Sequence, residues 1–286
     1  MAASAPPHIT HTEWSTLAPA IIQHITAGPG VAPAKHMAEH GDELLPFSEA
    51  TTVVDMGCGP GQVTNAVLEA HHAKMPASVQ MIGADNNAQM MVGYTMRQKT
   101  EVDKGNTYWQ RAKTLEVDIH DCAALPDDSV SHMLCGFVLF LVPEPAKAIS
   151  AMKRVMAPGG VLAVSSLQTS EWMKLSMYPS KIRPDLAVSG PGNGCSSAED
   201  VTNHLKNSGF KDIEVIQIEN YMEFNEYDSL CRFLLTKLPM TARIIAQMTN
   251  EEVLKTHALM VEDVKSWYPT LPARLVGKVN IAYCRK

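Results

Sequence analysis

The chain has no uninterrupted apolar stretch near the ~18 residues that a membrane-spanning helix requires. Its start, MAASAPPHIT, lacks a charged segment followed by an apolar one. Neither a membrane partner nor a secretory leader is expected, and the chain reads as soluble and cytoplasmic. A long basic run is also missing. The formal net charge is -6, so the electrostatic footprint of a nucleic-acid partner is absent from the composition. The six cysteines, Cys58, Cys122, Cys135, Cys195, Cys231 and Cys284, form no C-x-x-C pair. That excludes a zinc knuckle and a disulfide framework, and free thiols fit a reducing compartment. There is no internal repeat or low-complexity tract, although Pro179 to Ser197 is rich in Pro, Gly and Ser and reads as a loop. With 286 residues the chain can bury a full core, and it reads as one α/β domain with insertions.

The stretch that organises the rest is TTVVDMGCGPGQVT, Thr51 to Thr64. Thr51 to Val54 is a β-branched run of buried-strand type, Asp55 stands at its carboxyl end, and Gly57, Gly59 and Gly61 precede a helix over Gln62 to His72. Glycines at alternate positions let the backbone turn sharply and approach a ligand, which would lie in the crevice outside the strand ends. A dinucleotide fingerprint would need its third glycine at position 62, which is Gln62, so NAD and FAD are disfavoured.

A second strand over Val79 to Ala84 ends in Asp85-Asn86. Asp85 can take two ribose hydroxyls with one carboxylate, or it can cap the helix over Gln89 to Met96. A third strand, Thr114 to Val117, is followed by Asp121-Cys122-Ala-Ala-Leu125-Pro126. Ser131 to Leu141 is an apolar strand with its exit, and a helix over Ala146 to Met156 and a Pro-Gly-Gly turn at Pro158 to Gly160 come next. Ala198 to Ser208 reads as a helix, and Asp212 to Glu223 and Lys278 to Cys284 as the last two strands. Tyr227 to Tyr268 between them is helical, with Leu230, Phe233, Leu234 and Leu238 on one face. Ahead of the first strand, a helix from Glu13 carries Trp14, Leu17, Ile21 and Ile25. A second, Ala34 to Leu45, places His36, Glu39 and His40 on one side. Two histidines four apart could hold a metal, but the H-E-x-x-H order is absent, so a solvated polar face is the plainer reading and no metal is expected.

The pattern Asp55-x-Gly57-x-Gly59-x-Gly61 resembles the first motif of the class I S-adenosylmethionine-dependent methyltransferases, and the order of strand, helix, Pro-Gly-Gly and strand resembles the same family. The resemblance implies a Rossmann-like, seven-stranded α/β sheet with an antiparallel last strand. It implies N-terminal lid helices over residues 1–45, a cofactor-binding core over 46–226 and 275–286, and a helical cap inserted between the last two strands over 227–274. It further implies that S-adenosylmethionine binds and leaves as S-adenosylhomocysteine. The cofactor residues it suggests are Trp14, Asp55, Gly57, Cys58, Gly59, Gly61, Asp85, Asn86, Met90, Asp121, Cys122 and Phe137. In the adenine segment that resembles Asp121 to Pro126, the carboxylate accepts from the exocyclic amine and the next amide, here that of Cys122, meets a ring nitrogen. The family often follows a Trp by an Ala and a Tyr; here Trp14 and Ala18 match, and Ile21 or Ile22 replaces the tyrosine.

Methyl transfer is an in-line displacement, so the protein must chiefly align the acceptor and exclude water. No general base declares itself; His24, His36 and His132 are candidates only by residue type. The exit Cys135-Gly136-Phe137-Val138 departs from the N-P-P-Y signature of enzymes that methylate exocyclic or amide nitrogens. The acidic pair of metal-dependent catechol enzymes is likewise missing. Phe140, Trp172, Tyr178 and Phe233, with Met173, suggest a pocket for a small and rather apolar molecule. The subfamily resemblance is to fungal secondary-metabolism enzymes, including thiol- and amide-methylating enzymes of epidithiodiketopiperazine pathways. The acceptor atom stays open among thiol, hydroxyl, amine and amide. A different class also stays open, a cofactor-binding protein that steers a pericyclic reaction or serves a complex without transferring methyl groups. The sequence does not set an oligomeric state.

Overall fold

In the first half of the chain, strands of five to seven residues and helices follow one another. The computed structural model of the protein describes residues 28–186 and 194–286. Helix α1 (Val31–Leu44) buries Ala34, Met37, Ala38 and Gly41, one stripe at helical spacing. Strand β1 (Thr52–Met56) is followed by α2 (Gln62–His71), β2 (Gln80–Asp85), α3 (Ala88–Asp103) and β3 (Ala112–Glu116). Then come β4 (Val130–Gly136), α4 (Pro145–Val155), β5 (Met156–Ser170), α5 (Glu171–Ser176) and α6 (Pro179–Ile182). Helix α7 (Ala198–Asn207) leads to β6 (Lys211–Phe224), α8 (Tyr227–Thr236), α9 (Pro239–Ile245), α10 (Asn250–Trp267) and β7 (Ala273–Arg285).

The seven strands form one sheet in the order β3-β2-β1-β4-β5-β7-β6. All pairs from β3 to β5 are parallel, and β7 runs antiparallel to both β5 and β6. The expected Rossmann-like sheet with a reversed last strand is what the chain builds. Neighbouring residues such as Val53 and Val54 enter separate apolar clusters because strand side chains alternate between the two faces. One cluster joins α1, α2 and the helices after β6; the other joins α4 and α7. The order reverses between β1 and β4, so the crevice outside their carboxyl ends is where a ligand fits an open α/β sheet.

Several boundaries differ from the sequence reading for identifiable reasons. Strand β7 starts at Ala273 rather than Lys278, because it pairs residue for residue with β6 from Phe224 down to Glu214. Helix α3 runs on past Met96 to Asp103, and its second half is tied down by Gln98 Nε2, which donates to the carbonyls of Trp109 and Ala112, each at 2.8 Å. The Pro-Gly-Gly turn lies within β5, where the pairing with β4 shifts register and Gly159 takes φ +76°. Pro179 to Ser197 is not wholly a loop, since Pro179 opens α6 and Pro184 to Leu186 make a 3-10 turn. The two histidines of α1 each have side-chain partners. His36 Nδ1 lies 2.7 Å from the Tyr283 hydroxyl, and His40 stands between Glu43 (2.6 Å) and Glu214 (3.0 Å). Among the described residues no helix is long and apolar enough to cross a membrane. The expected N-terminal helix with Trp14, Ala18, Ile21, Ile22, His24 and Ile25 lies outside the described residues.

Candidate cofactor site

The turn after β1 is pinned first from β2. The amides of Gly57 and Cys58 both donate to the Ala84 carbonyl, at 2.7 and 2.9 Å. Gly57, Gly59 and Gly61 then adopt φ of +69°, +49° and +77°, the left-handed region that a side chain disfavours. Their missing side chains face three different things. At Gly57 a Cβ would lie 2.3 Å from a Val138 methyl; at Gly61 it would lie 2.9 Å from the Tyr94 ring and 3.0 Å from that of Trp109. At Gly59 it would meet only the Met90 sulfur, at 3.9 Å. Only Gly59 therefore has the open side expected of a glycine that a ligand approaches.

The two carboxylates above and below this turn do different work. Asp55 is 1% exposed, and its Oδ2 accepts from the Thr64 amide (2.9 Å) and hydroxyl (2.8 Å), which fastens the start of α2 beneath the turn. Burial, opposed by those two bonds and helped by the nearby Asp85 charge, pushes its pKa up to about 6. Asp55 thus shapes the turn from below, through Thr64. Asp85, partly exposed at the end of β2, accepts from the Gly59 amide through Oδ2 (2.9 Å) and from the Asn87 amide through Oδ1 (2.9 Å). It does not cap α3. That cap is Asn87, whose side chain accepts from the amides of Gln89 and Met90 at 3.1 Å each.

The third strand end supplies the next group. Asp121 is exposed and accepts from the Ala123 amide at 3.0 Å, while Cys122 is fully buried at φ +46°. The Cys122 amide, expected to meet an adenine nitrogen, donates to the Asp118 carbonyl at 2.8 Å, because the chain turns tightly there. Asp118 itself bonds His120 Nδ1 at 2.7 Å and the Asn86 side chain. These contacts outweigh burial and hold its carboxyl below the usual range. His120 Nε2 is a buried nitrogen with no partner among the described residues. The sequence reading did not single it out; its place two residues after Asp118, past a strand end, is the signal that could have found it.

At the exit of β4, Phe137 takes φ +58°, and its amide donates to both the carbonyl and the hydroxyl of Ser165, each at 3.1 Å. A left-handed conformation is rare for an aromatic residue, and here two bonds to β5 impose it. Phe140 packs edge-on to Phe137 with ring centroids 6.1 Å apart. The other expected pocket residues lie farther along the sheet. Trp172 is 6% exposed and packs on Gly277 of β7, where a Cβ would approach its ring to 2.3 Å. Tyr178 is buried and donates to Asp263 Oδ2 at 2.5 Å, joining α6's start to α10. Phe233 lines a cleft of about 460 Å³ with Met222, Phe224 and Leu230. His132, one of the residues considered as a base, is buried against Phe47 and sits 2.8 Å from the Leu45 carbonyl, at the starting end of the strands. Burial lowers its pKa. Among the described residues no three His, Cys, Asp or Glu side chains are grouped to hold a metal.

A family model described as a methyltransferase domain matches residues 54–164. The methyltransferase ucsB of Acremonium sp is 26% identical over 250 residues, covering 87% of this chain and 86% of that relative. The acetylaranotin bis-thiomethyltransferase of Aspergillus terreus is 22% identical over 234 residues, 78% of this chain and 76% of its own. Among solved structures, the [4+2]-cyclase SpnF has a TM-score of 0.54 at 16% identity, covering 98% of both chains. Haemonchus contortus phosphoethanolamine N-methyltransferase 2, in complex with S-adenosyl-L-methionine, has a TM-score of 0.52 at 15% identity, covering 97% of this chain and 57% of that one. Those two likenesses establish the fold. The strand ends fit that cofactor on a direct observation: the open flank of Gly59 lies beside a carboxylate bonded to its own amide.

Proposed function

We propose that this chain, which belongs to the class I S-adenosylmethionine-dependent methyltransferases, methylates a thiol, hydroxyl, amine or amide of a small and rather apolar secondary metabolite. Bound S-adenosylmethionine supplies an electrophilic methyl carbon and a neutral thioether leaving group. Asp85 receives the ribose hydroxyls, Gly59 gives the backbone room, and the Asp121 to Cys122 turn borders the adenine. Asn86 and Met90 flank the ribose side, and Phe137, Cys58 and Gly57 border the methionine end. Phe140 and Val138 at the β4 exit give an apolar wall that keeps water from the acceptor. A thiolate or a neutral amine attacks unaided, whereas a hydroxyl needs a proton acceptor.

The observation that carries this reading is the bond from the Gly59 amide to Asp85, which fixes a carboxylate over the one open glycine. Likeness to a fungal bis-thiomethyltransferase supports the substrate class. The test has two parts. Asp85→Ala is expected to weaken S-adenosylhomocysteine binding by ~1–3 kcal/mol in calorimetry, the scale of lost charge-assisted hydrogen bonds. Deuteromethyl-labelled cofactor is then incubated with panels of thiols, phenols and amines and with fungal extract. Label in an apolar product supports the proposal. Tight binding with no label transferred to any acceptor favours the non-transferring reading, for which the likeness to a [4+2]-cyclase fold is the precedent. Turnover is expected to continue in EDTA; loss restored by Mg²⁺ or Zn²⁺ would show a metal requirement.

A further inference from the structure

The glycine turn has three residues at positive φ and few side chains of its own, so its shape must be imposed from outside. Its entry is held by the Ala84 carbonyl and its middle by Asp85. The carbonyls at its exit are bound from α3 by one side chain. Arg97 Nη1 donates to the carbonyls of Pro60 (3.2 Å) and Gly61 (3.1 Å) and to Gln62 Oε1 (3.2 Å). The guanidinium lies 5.5 Å from the centre of the Trp109 ring, and Trp109 stands edge-on to Tyr94 at 5.6 Å. Met90, Tyr94 and Arg97 are spaced four and three apart, so they share one face of α3. Along that face Met90 meets Gly59, Tyr94 meets Gly61, and Arg97 takes the carbonyls at the exit.

The placement is informative because α2 alone does not call for it. A helix start carries partial positive charge, so a cation beside the first turn of α2 is unfavourable for the helix. What the arginine serves is the turn: Nη1 alone meets two turn carbonyls and the Gln62 side chain, while the flat guanidinium it belongs to lies by the Trp109 ring, a geometry that a lysine's point charge does not reproduce. We propose that Arg97 is a positioning residue for cofactor binding, holding the exit of the glycine turn so that Gly59 and Asp85 keep the arrangement that receives S-adenosylmethionine. The proposal rests on the reading of this turn as the cofactor site.

The experiment compares four proteins by calorimetric titration with S-adenosylhomocysteine and by thermal unfolding: the natural chain, Arg97→Met, Arg97→Lys and Phe47→Leu. Phe47 is fully buried between His71 and His132, away from the turn, and serves as a destabilised control. Arg97→Met keeps an apolar stem over Trp109 and is expected to weaken binding about tenfold, the scale of losing charge-assisted bonds. Arg97→Lys should recover part of that loss, and Phe47→Leu should bind as the natural chain does despite a lower melting temperature. Should Arg97→Met fail to fold, a loss of threefold or more in Arg97→Lys supports the proposal. Affinity within threefold of the natural chain in Arg97→Met, or in Arg97→Lys where only that variant folds, overturns it, and so does equal weakening in Phe47→Leu. If the natural chain does not bind S-adenosylhomocysteine at all, the cofactor-site reading fails first, which separates the two failures.

Discussion

At Gly57, Gly59 and Gly61 one residue type answers three steric demands, so one substitution has three outcomes. Each alanine costs ~1–2 kcal/mol for a left-handed backbone. At Gly57 the added methyl also meets Val138, and at Gly61 it meets Tyr94 and Trp109, where overpacking adds ~1–3 kcal/mol. Gly59→Ala lacks that second cost, but its methyl enters the open space that the proposal above gives to the cofactor. Urea unfolding should therefore rank Gly59→Ala as the mildest in stability, and S-adenosylhomocysteine titration should rank it among the most damaging for binding. Equal losses of stability across the three would contradict the assignment. The motif itself was legible in the sequence as glycines at alternate positions. The separate reasons were not, because Val138 and Tyr94 arrive from residues far along the chain and only the folded sheet brings them in. Arg97 was missed for the same cause: nothing local distinguishes it from the solvated cations of any helix, and only its place seven residues beyond Met90 hints at the shared face.

The helices between the long strands β6 and β7 are fastened to the region after β5 by specific polar contacts. Glu171 Oε2, just past β5, accepts from the Tyr268 hydroxyl (2.5 Å) and the Val276 amide (2.8 Å). Burial and that carboxylate push the Tyr268 pKa up to about 12. Helix α10 opens with a capping box in which Thr249 and Glu252 satisfy each other's amides. This helical reading was legible from apolar spacing at Leu230 and Leu234, which the structure buries. The role of Trp172 was not, since an aromatic after a strand looks alike whether it faces a ligand or a neighbouring strand. Its packing on Gly277 separates it from Phe233 as a probe. Trp172→Ala should destabilise the protein by ~3–5 kcal/mol, visible as a lower urea midpoint. Phe233→Ala should leave stability and cofactor affinity nearly unchanged and raise the acceptor KM once an acceptor is in hand. If Phe233→Ala disturbed cofactor binding as Asp85→Ala does, the helices after β6 would not govern the acceptor.

Across the whole molecule, histidines set opposing responses to acid. The strands were legible as apolar or alternating runs, and the reversed last strand only through the resemblance carried by the glycine motif; the fate of each histidine was not, since it depends on which carbonyls and carboxylates the packed elements present. His71 and His132 sandwich Phe47, with centroids 4.9 and 4.5 Å away, and burial lowers both pKa values. His40, partly buried, has its pKa raised because the Glu214 and Glu43 carboxylates outweigh desolvation. The signs follow from proton counting. For His71 and His132 the unfolded chain binds more protons between their folded pKa values and the ordinary 6.5, so their contribution is complete above that value and is lost as pH falls below it. For His40 the folded state binds more, so its contribution is present below 6.5 and is lost as pH rises through its folded pKa. Replacing His132 by Gln should thus flatten the fall in urea midpoint between pH 7.5 and pH 5.5, and replacing His40 by Gln should steepen it. Asp55, which titrates near 6 in the fold, is common to all three proteins and cancels when their slopes are compared. A His132→Gln profile parallel to that of the natural chain would mean that the buried imidazole keeps its ordinary pKa. A steeper one would mean that it is charged in the folded state, against its placement beside Phe47 and the Leu45 carbonyl.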